Sequence, residues 1–495
     1  MLFQNILKGK LNYFLPKSNW QLIICKLSTE SDISLEEDDQ FNKLKTEMIS
    51  HLLPKFGHKV LIVQPSRTHG KLFTTLSSEK QSFFEAKALV NTLKWNLVDY
   101  KFVNTRLVKA KTFFTTGNYE ELTEDLRFRN DITAVFVNWS CLSSLQIMSM
   151  ERDWQKIVYD RYMMVLQIFK LHAHTAESKL QVQLAELPYF RSRLYGYHIK
   201  SHSDVVLQEY ERSLSGIGIQ SSSLSDKMFI LKTREHKIRS KIEELVNNRE
   251  LHRSNRRKSN IPIISVLGYT NSGKTSLIRC LTRDEKITPE DCLFATLDVT
   301  YHEFFMKFNK TNFGMNILLI DTIGFLSEIP TALIAAFRAT LQDTMETDLL
   351  IHVVDLSNEH WREQMTFTLK TLHSFKLPEK LMNSIVTVGT KIDCTNSSTL
   401  EEIKMDAPEI IHISNKTGEN LSDLQSLISQ KIQENVEFIT KQIKVGHGSS
   451  IYQWISSNAV IQNLQVSRDS QNLLLDVIFS PTTWAQFQNK FYKMS

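Results

Sequence analysis

Short, uninterrupted apolar runs recur along this chain, and stretches with three- and four-residue apolar spacing lie between them. Runs of this kind suit strands buried on both faces of a parallel sheet, because helices cover both sides. The predicted strands are Lys59–Val63, Ala134–Val137, Ile263–Leu267, Asn316–Ile320, Leu349–Asp355, Ser384–Val388 and Glu409–Ile413. A helix is predicted near Glu85–Leu93, and longer ones over 160–194 and about 226–254. In the last of these Leu231, Ile238 and Leu245 stand seven apart. That spacing, in two helices joined by a polar loop, predicts an antiparallel coiled-coil hairpin. From 436 the order is strand (Phe438–Val445), helix (Ile451–Ser457) and two more strands, a small α/β module. Its composition carries no readable chemistry.

The chain has 495 residues, enough for two to four domains. With 42% hydrophobic and 23% charged residues it is an ordinary globular composition, not a disordered or fibrous one. No apolar run is long enough to span a bilayer. The five cysteines show no metal-ligand or disulfide spacing and read as scattered thiols in a reducing compartment. Residues 1–30 hold four lysines and no acid before Glu30, and Phe3, Leu7, Leu11 and Phe14 share one helical face. This is the composition of a mitochondrial presequence, although arginine is absent; a frayed tail is the plainer alternative. Residues 31–44, with Glu36, Glu37, Asp38 and Asp39, read as an acidic linker. Segments 45–160, 161–258, 260–435 and 436–495 follow as an α/β N-terminal domain, the hairpin, a nucleotide-binding domain and the C-terminal module.

The chemistry begins where the strand Ile263–Leu267 runs into Gly268-Tyr-Thr-Asn271-Ser272-Gly273-Lys274-Thr275-Ser276 and then a helix. Strand, G-x-x-x-x-G-K-[ST], helix is the phosphate-binding P-loop pattern. Backbone N–H groups and the helix N-terminus cradle phosphate oxygens, Lys274 reaches the β- and γ-phosphates, and the Thr275 hydroxyl suits Mg²⁺. The next strand ends in Asp321-Thr322-Ile323-Gly324: a carboxylate for a Mg²⁺-bound water and an N–H for the γ-phosphate. Thr296, between the two, is the natural switch residue to close on Mg²⁺. Thr390-Lys391-Ile392-Asp393 matches the guanine-reading pattern. Asp393 accepts from guanine N1–H and its 2-amino group, donors that adenine lacks. Ser414-Asn415-Lys416 would meet the guanine O6. Each piece alone has a structural explanation, but all stand in order at the carboxyl ends of strands, where such sheets bind ligands. The predicted domain is therefore a P-loop GTPase domain, a mostly parallel sheet with helices on both faces. It makes the chain an α/β multidomain protein.

With these residues in hand the chain resembles the HflX-type GTPases of the translation-factor class, in the Obg/HflX superfamily, and their mitochondrial branch. The resemblance rests on Leu293-Phe294-Ala295-Thr296-Leu297-Asp298, on Asp321–Leu326, on Pro330–Ile334 and on Phe337–Leu341. Upstream, Tyr159–Tyr162, Val165–Phe169 and Lys179–Ala185 are similar to that family's own N-terminal domain. It implies a GTP- and Mg²⁺-dependent enzyme with Lys274, Thr296 and Gly324 in catalysis, Thr275, Thr296 and Asp321 at the metal, and 294–298 at the nucleotide. It further implies a monomer acting on the large subunit of the mitochondrial ribosome and its rRNA in the matrix, in splitting, recycling or assembly. The loop at about 195–225 would approach the peptidyl transferase centre. No DNA or membrane partner is expected. Three positions depart from the family pattern. Thr390 replaces an asparagine, which bears on its tie to the P-loop; 216–220 keeps only part of a Gly-rich stretch; and Thr112–Asn118 lacks a Gly–Lys pair.

Two readings stay open. A non-enzymatic RNA-binding scaffold with GTP as a structural ligand competes, because Phe325 stands where many GTPases carry a water-orienting glutamine; its cytoplasmic counterpart competes for location. Residues 226–258 carry eleven Lys/Arg against five Asp/Glu, as a helix lying on RNA would, or as a solvated face would. Asn271 sits where some translation-class GTPases ligate K⁺ beside the phosphates, though it also suits a tight turn.

Overall fold

The computed structural model describes residues 41–42, 44, 57–66, 79–105, 113–203, 224–259, 261–307, 314–327, 347–375, 377–435, 439–446, 448–466, 472–479 and 481–492. The predicted presequence, residues 204–223 of the predicted hairpin loop, the Gly-rich stretch and the resembling segments over 330–341 lie outside these residues, while 195–203, read as loop, continue the preceding helix.

β1 (Lys59–Ser66), β2 (Asn96–Asn104), β3 (Ala134–Val137) and β4 (Ile157–Tyr159) form a parallel sheet in the order β2-β1-β3-β4. β1 is buried from Val60 to Pro65, as a central strand covered on both faces must be. Helices α1 (Glu79–Thr92), α2 (Thr116–Phe128) and α3 (Ser144–Trp154) connect the strands. The span 160–194 is two helices, α4 (Arg161–His172) and α5 (Ala176–Ser203), where the apolar pattern suggests one. Asp160 caps α4, accepting from the Met163 N–H at 2.8 Å. Seven residues of α4 from Tyr162 to Phe169 are buried hydrophobics. A helix that is apolar nearly all round must be covered nearly all round. It packs on the first sheet and on the nucleotide-binding domain, so it belongs to their joint core rather than to the hairpin.

α6 (Leu224–Ser259) pairs with α5. Leu231, Ile238 and Leu245 are all buried, against Leu180, Leu187, Phe190 and Leu194. The heptad spacing thus marks the real seam. Phe41 and Leu44, at the end of the predicted solvated linker, are buried in the same cluster, with Phe41 edge-on to Phe190 at 6.1 Å. Apolar side chains there outweigh the acidic run before them.

The second sheet has the order β10-β9-β8-β5-β7-β6. Its parallel strands are β5 (Ile263–Gly268), β7 (Gly314–Asp321), β8 (Leu349–Asp355), β9 (Val386–Thr390) and β10 (Ile411–His412). β6 (Thr300–Lys307) was not predicted. It runs antiparallel to β7 at the edge, with Phe304 and Met306 buried and Phe305 half exposed. One-faced burial gives no continuous apolar run to read. Helices α7 (Lys274–Thr282), α8 (Trp361–Ser374), α9 (Glu379–Met382), α10 (Ser397–Asp406) and α11 (Leu421–Asn435) complete this domain. The C-terminal strands Ile439–Gly446, Val460–Val466 and Asn472–Phe479 form an antiparallel sheet with a helix at Ser450–Asn458. Among the described residues no helix is long and apolar enough to cross a membrane.

Candidate functional site: a nucleotide cleft joined to the N-terminal sheet

The loops that follow β5, β7, β9 and β10 meet at one end of the second sheet, and a cleft opens there. Thr270, Asn271, Gly273, Lys274, Thr275 and Ser276 form its floor; Pro289, Glu290, Cys292, Phe294, Ala295 and Thr296 form one wall, and Gly324 closes it. Two glycines are demanded by close approach. A Cβ on Gly268 would lie 2.2 Å from the Val353 carbonyl oxygen, and one on Gly324 would lie 2.7 Å from Thr270 Cα and 3.0 Å from Lys274 Nζ. Gly273, with φ near +90°, starts α7, whose first-turn N–H groups face the cleft. Lys274 is buried and donates to the Tyr269 carbonyl oxygen at 2.8 Å. Burial lowers its ammonium to about 8, opposed by Asp321. A triphosphate would supply the negative charge this lysine lacks.

Thr275, Thr296 and Asp321 converge. The Thr275 hydroxyl is 2.7 Å and the Thr296 hydroxyl 3.1 Å from Asp321 Oδ2, and the hydroxyls are 3.1 Å apart. Asp321 Oδ1 is buried with no partner, and burial raises this carboxyl despite the threonine hydrogen bonds and Lys274. Oxygen donors with one unsatisfied carboxylate oxygen suit a hard cation such as Mg²⁺. Thr322 anchors the strand end through a 2.7 Å bond to the Val266 carbonyl, and Ile323 and Leu297 are buried in the apolar core beside the cleft.

At the opposite end Thr390 donates to the Ser272 carbonyl at 2.7 Å. The threonine therefore keeps the P-loop tie that asparagine makes elsewhere. Lys391 donates to Asp355 at 2.7 Å and to the Asn271 carbonyl at 2.9 Å. Asp393 accepts from the Ser414 hydroxyl at 2.7 Å, which holds its carboxyl below the usual carboxylate range. Ser414 in turn accepts from the Lys416 N–H at 3.2 Å, and Asn415 donates to the Gly273 carbonyl at 3.2 Å.

The Asn271 side-chain NH2 donates to Asp291 Oδ1 at 2.7 Å, and a cation would meet the amide oxygen instead. One predicted residue is placed differently. Asp298 lies outside the cleft wall: it accepts from the Thr175 hydroxyl at 2.6 Å and from the N–H groups of His174 and Thr175, between α4 and α5. Sequence reasoning missed a buried network altogether. The Tyr269 hydroxyl, in the P-loop, donates to Glu85 of α1 and accepts from the Ser327 N–H at 2.8 Å. Ser327 Oγ also reaches Glu85 at 2.7 Å, and Arg161 pairs with Glu85, the Ser327 carbonyl and Asn138. Phe169 meets Phe294 edge-on at 4.8 Å. The signal available in sequence was only Tyr159–Tyr162 and its neighbours, with no indication of what they touch.

Three family models cover the chain in order: a GTP-binding GTPase N-terminal region over residues 80–170, a GTP-binding GTPase middle region over 172–256 and a 50S ribosome-binding GTPase over 263–391. GTP-binding protein 6 of Xenopus laevis is 35% identical over 94% of this chain and 86% of its own length. The chain belongs to the HflX-type GTPases of the Obg/HflX class. The human GTP-binding protein 6 is 33% identical over 94% of this chain and 87% of its own. GTPase HflX of Lacrimispora saccharolytica is 32% identical over 73% of this chain and 81% of its own. As an HflX-type GTPase the chain binds guanine nucleotide, and the N-terminal sheet that braces the P-loop and the switch segment falls largely within the matched GTP-binding GTPase N-terminal region.

Proposed function

We propose that this protein is a Mg²⁺-dependent GTPase acting on the large subunit of the mitochondrial ribosome, in subunit splitting, recycling or assembly. The observation that carries hydrolysis is the meeting of Thr275, Thr296 and Asp321 around an unsatisfied carboxylate oxygen. Mg²⁺ held there would offset charge on the β- and γ-phosphate oxygens. Lys274 would do the same from the other side, and the Gly324 N–H would mark the γ-phosphate. A ribosomal target is supported by the 50S ribosome-binding family model and by the net positive charge of α6. Organellar residence is supported by the basic, acid-free first residues and by a chloroplastic relative in Arabidopsis thaliana. Phe325 is buried and cannot orient water, so the isolated protein should turn over slowly and the large subunit should supply the missing groups. Phe325 also supports the scaffold reading. GTP turnover with and without large subunits separates the two: stimulation is expected, and equal slow rates would leave a scaffold. Sedimentation of mitochondrial ribosomes with protein and GTP then distinguishes splitting from assembly. Potassium stimulation would use the Asn271 amide oxygen, whose NH2 donates to Asp291, and matched potassium and sodium buffers test it.

A further inference from the structure

At the mouth of the cleft the fold assembles three residues that the sequence keeps apart. One ligand atom from each of His172, Glu290 and Cys292 lies within 4.8 Å of the other two. His172 closes α4, while Glu290 and Cys292 lie in the irregular segment between α7 and β6. The His172 Nδ1 is 3.1 Å from the Ile168 carbonyl oxygen. A carbonyl only accepts, so Nδ1 is the donor and the neutral ring has its lone pair on Nε2. A backbone carbonyl fixing the other ring nitrogen is how proteins usually hold a metal-binding imidazole. Cys292 Sγ is 3.6 Å from Glu290 Oε2, so thiol and carboxylate already face one another.

We propose that His172, Glu290 and Cys292 form a binding site for a zinc-type divalent ion, which staples the switch segment to the end of α4. One imidazole nitrogen, one thiolate and one carboxylate oxygen are a borderline-soft donor set, and three protein ligands leave a fourth position for water. This separates the site from the all-oxygen Thr275–Thr296–Asp321 group. Binding the ion displaces the Cys292 thiol proton to solvent and forms a metal–sulfur bond, with no oxidant needed. Ligand bonds of about 2.0–2.3 Å require the three atoms to draw together by roughly 1 Å. Residues 283–299 contain no helix or strand, so that adjustment breaks no ladder. The same segment is held by Phe169 against Phe294 and by Thr175 against Asp298. A metal at 290–292 would add a third tie upstream of Thr296 and restrict nucleotide release. The metal site itself does not depend on the ribosomal reading.

The test uses the full chain with a non-thiol reductant and excess Mg²⁺. Equilibrium dialysis with Zn²⁺ should give one ion per chain, and Co²⁺ alone should give a thiolate charge-transfer band. Cys292→Ser should abolish that band, and Cys292→Ser and His172→Gln should each weaken zinc by at least about 100-fold. Zinc should slow release of a fluorescent GDP analogue from the native protein. It should leave release unchanged in His172→Gln, whose zinc-free rate matches the native one. Full zinc affinity in both variants, or Co²⁺ binding without a thiolate band, overturns the site. Zinc bound as expected but without effect on GDP release overturns the staple.

Discussion

At the guanine end of the cleft every tie runs within one domain: Thr390 to Ser272, Lys391 to Asp355 and Asn271, Asp393 to Ser414. At the phosphate end Tyr269 and Ser327 are held by Glu85 and Arg161, Phe294 by Phe169, and Asp298 by Thr175. The residues expected to select the base are therefore held from within the second domain alone. The geometry of P-loop and switch is shared with the N-terminal sheet. A displacement of that sheet should alter hydrolysis and leave the choice of base alone.

Arg161→Ala tests this most severely. Arg161 is fully buried and would leave the Glu85 carboxylate uncompensated, a loss of about 3–5 kcal/mol by urea unfolding. Turnover should fall with it, while the preference for GTP over xanthosine triphosphate stays. A changed preference would break the separation of the two ends.

Asp393→Asn probes the other end. Removing a charged hydrogen-bond acceptor costs about 1.5–3 kcal/mol, so GTP affinity should drop roughly ten- to hundredfold, with improved binding of xanthosine triphosphate. Stability should barely change, because this carboxylate lies near the surface. Retained GTP preference would move the base elsewhere.

Lys274 gives a pH signature confined to the phosphate end. Its folded value of about 8 lies below the ordinary 10.5. Between these values the unfolded chain holds more protons. Nucleotide-free stability should rise from pH 8 toward 10.5, by at most about 1.4 kcal/mol per unit, with the burial cost fully present below 8. Bound phosphates restore the charge partner, so GTP affinity should fall over the same window. A flat affinity profile by calorimetry would show that Lys274 does not meet the phosphates.

The smallest effect belongs to the exposed junction between α4 and α5. Thr175 also accepts from the Ser178 N–H at 3.2 Å as the cap of α5. Thr175→Ala should cost about 1 kcal/mol and slightly raise the GDP release rate, with no change at the base.

Local spacing made much of this molecule readable. The P-loop, Asp321-x-x-Gly324, the 390–393 motif and the strands that carry them are contiguous stretches whose chemistry depends on neighbours a few residues away. The Leu231–Ile238–Leu245 seam was legible for the same reason. β6 was not, because an edge strand buries one face and shows no apolar run. The break between α4 and α5 was obscured because apolar spacing continues on both sides of it.

What the sequence by itself determined is the guanine-nucleotide chemistry: residue types in fixed order, each at the carboxyl end of a strand. Tertiary structure alone decided which groups hold that chemistry in place. Glu85, Arg161, Tyr269 and Ser327 share one network, and His172 meets Cys292, only because α1 and α4 pack against the second domain. No periodicity or spacing encodes such pairs. A buried charge requires a partner, and the chain can supply it from any distance once a common core brings the two surfaces together.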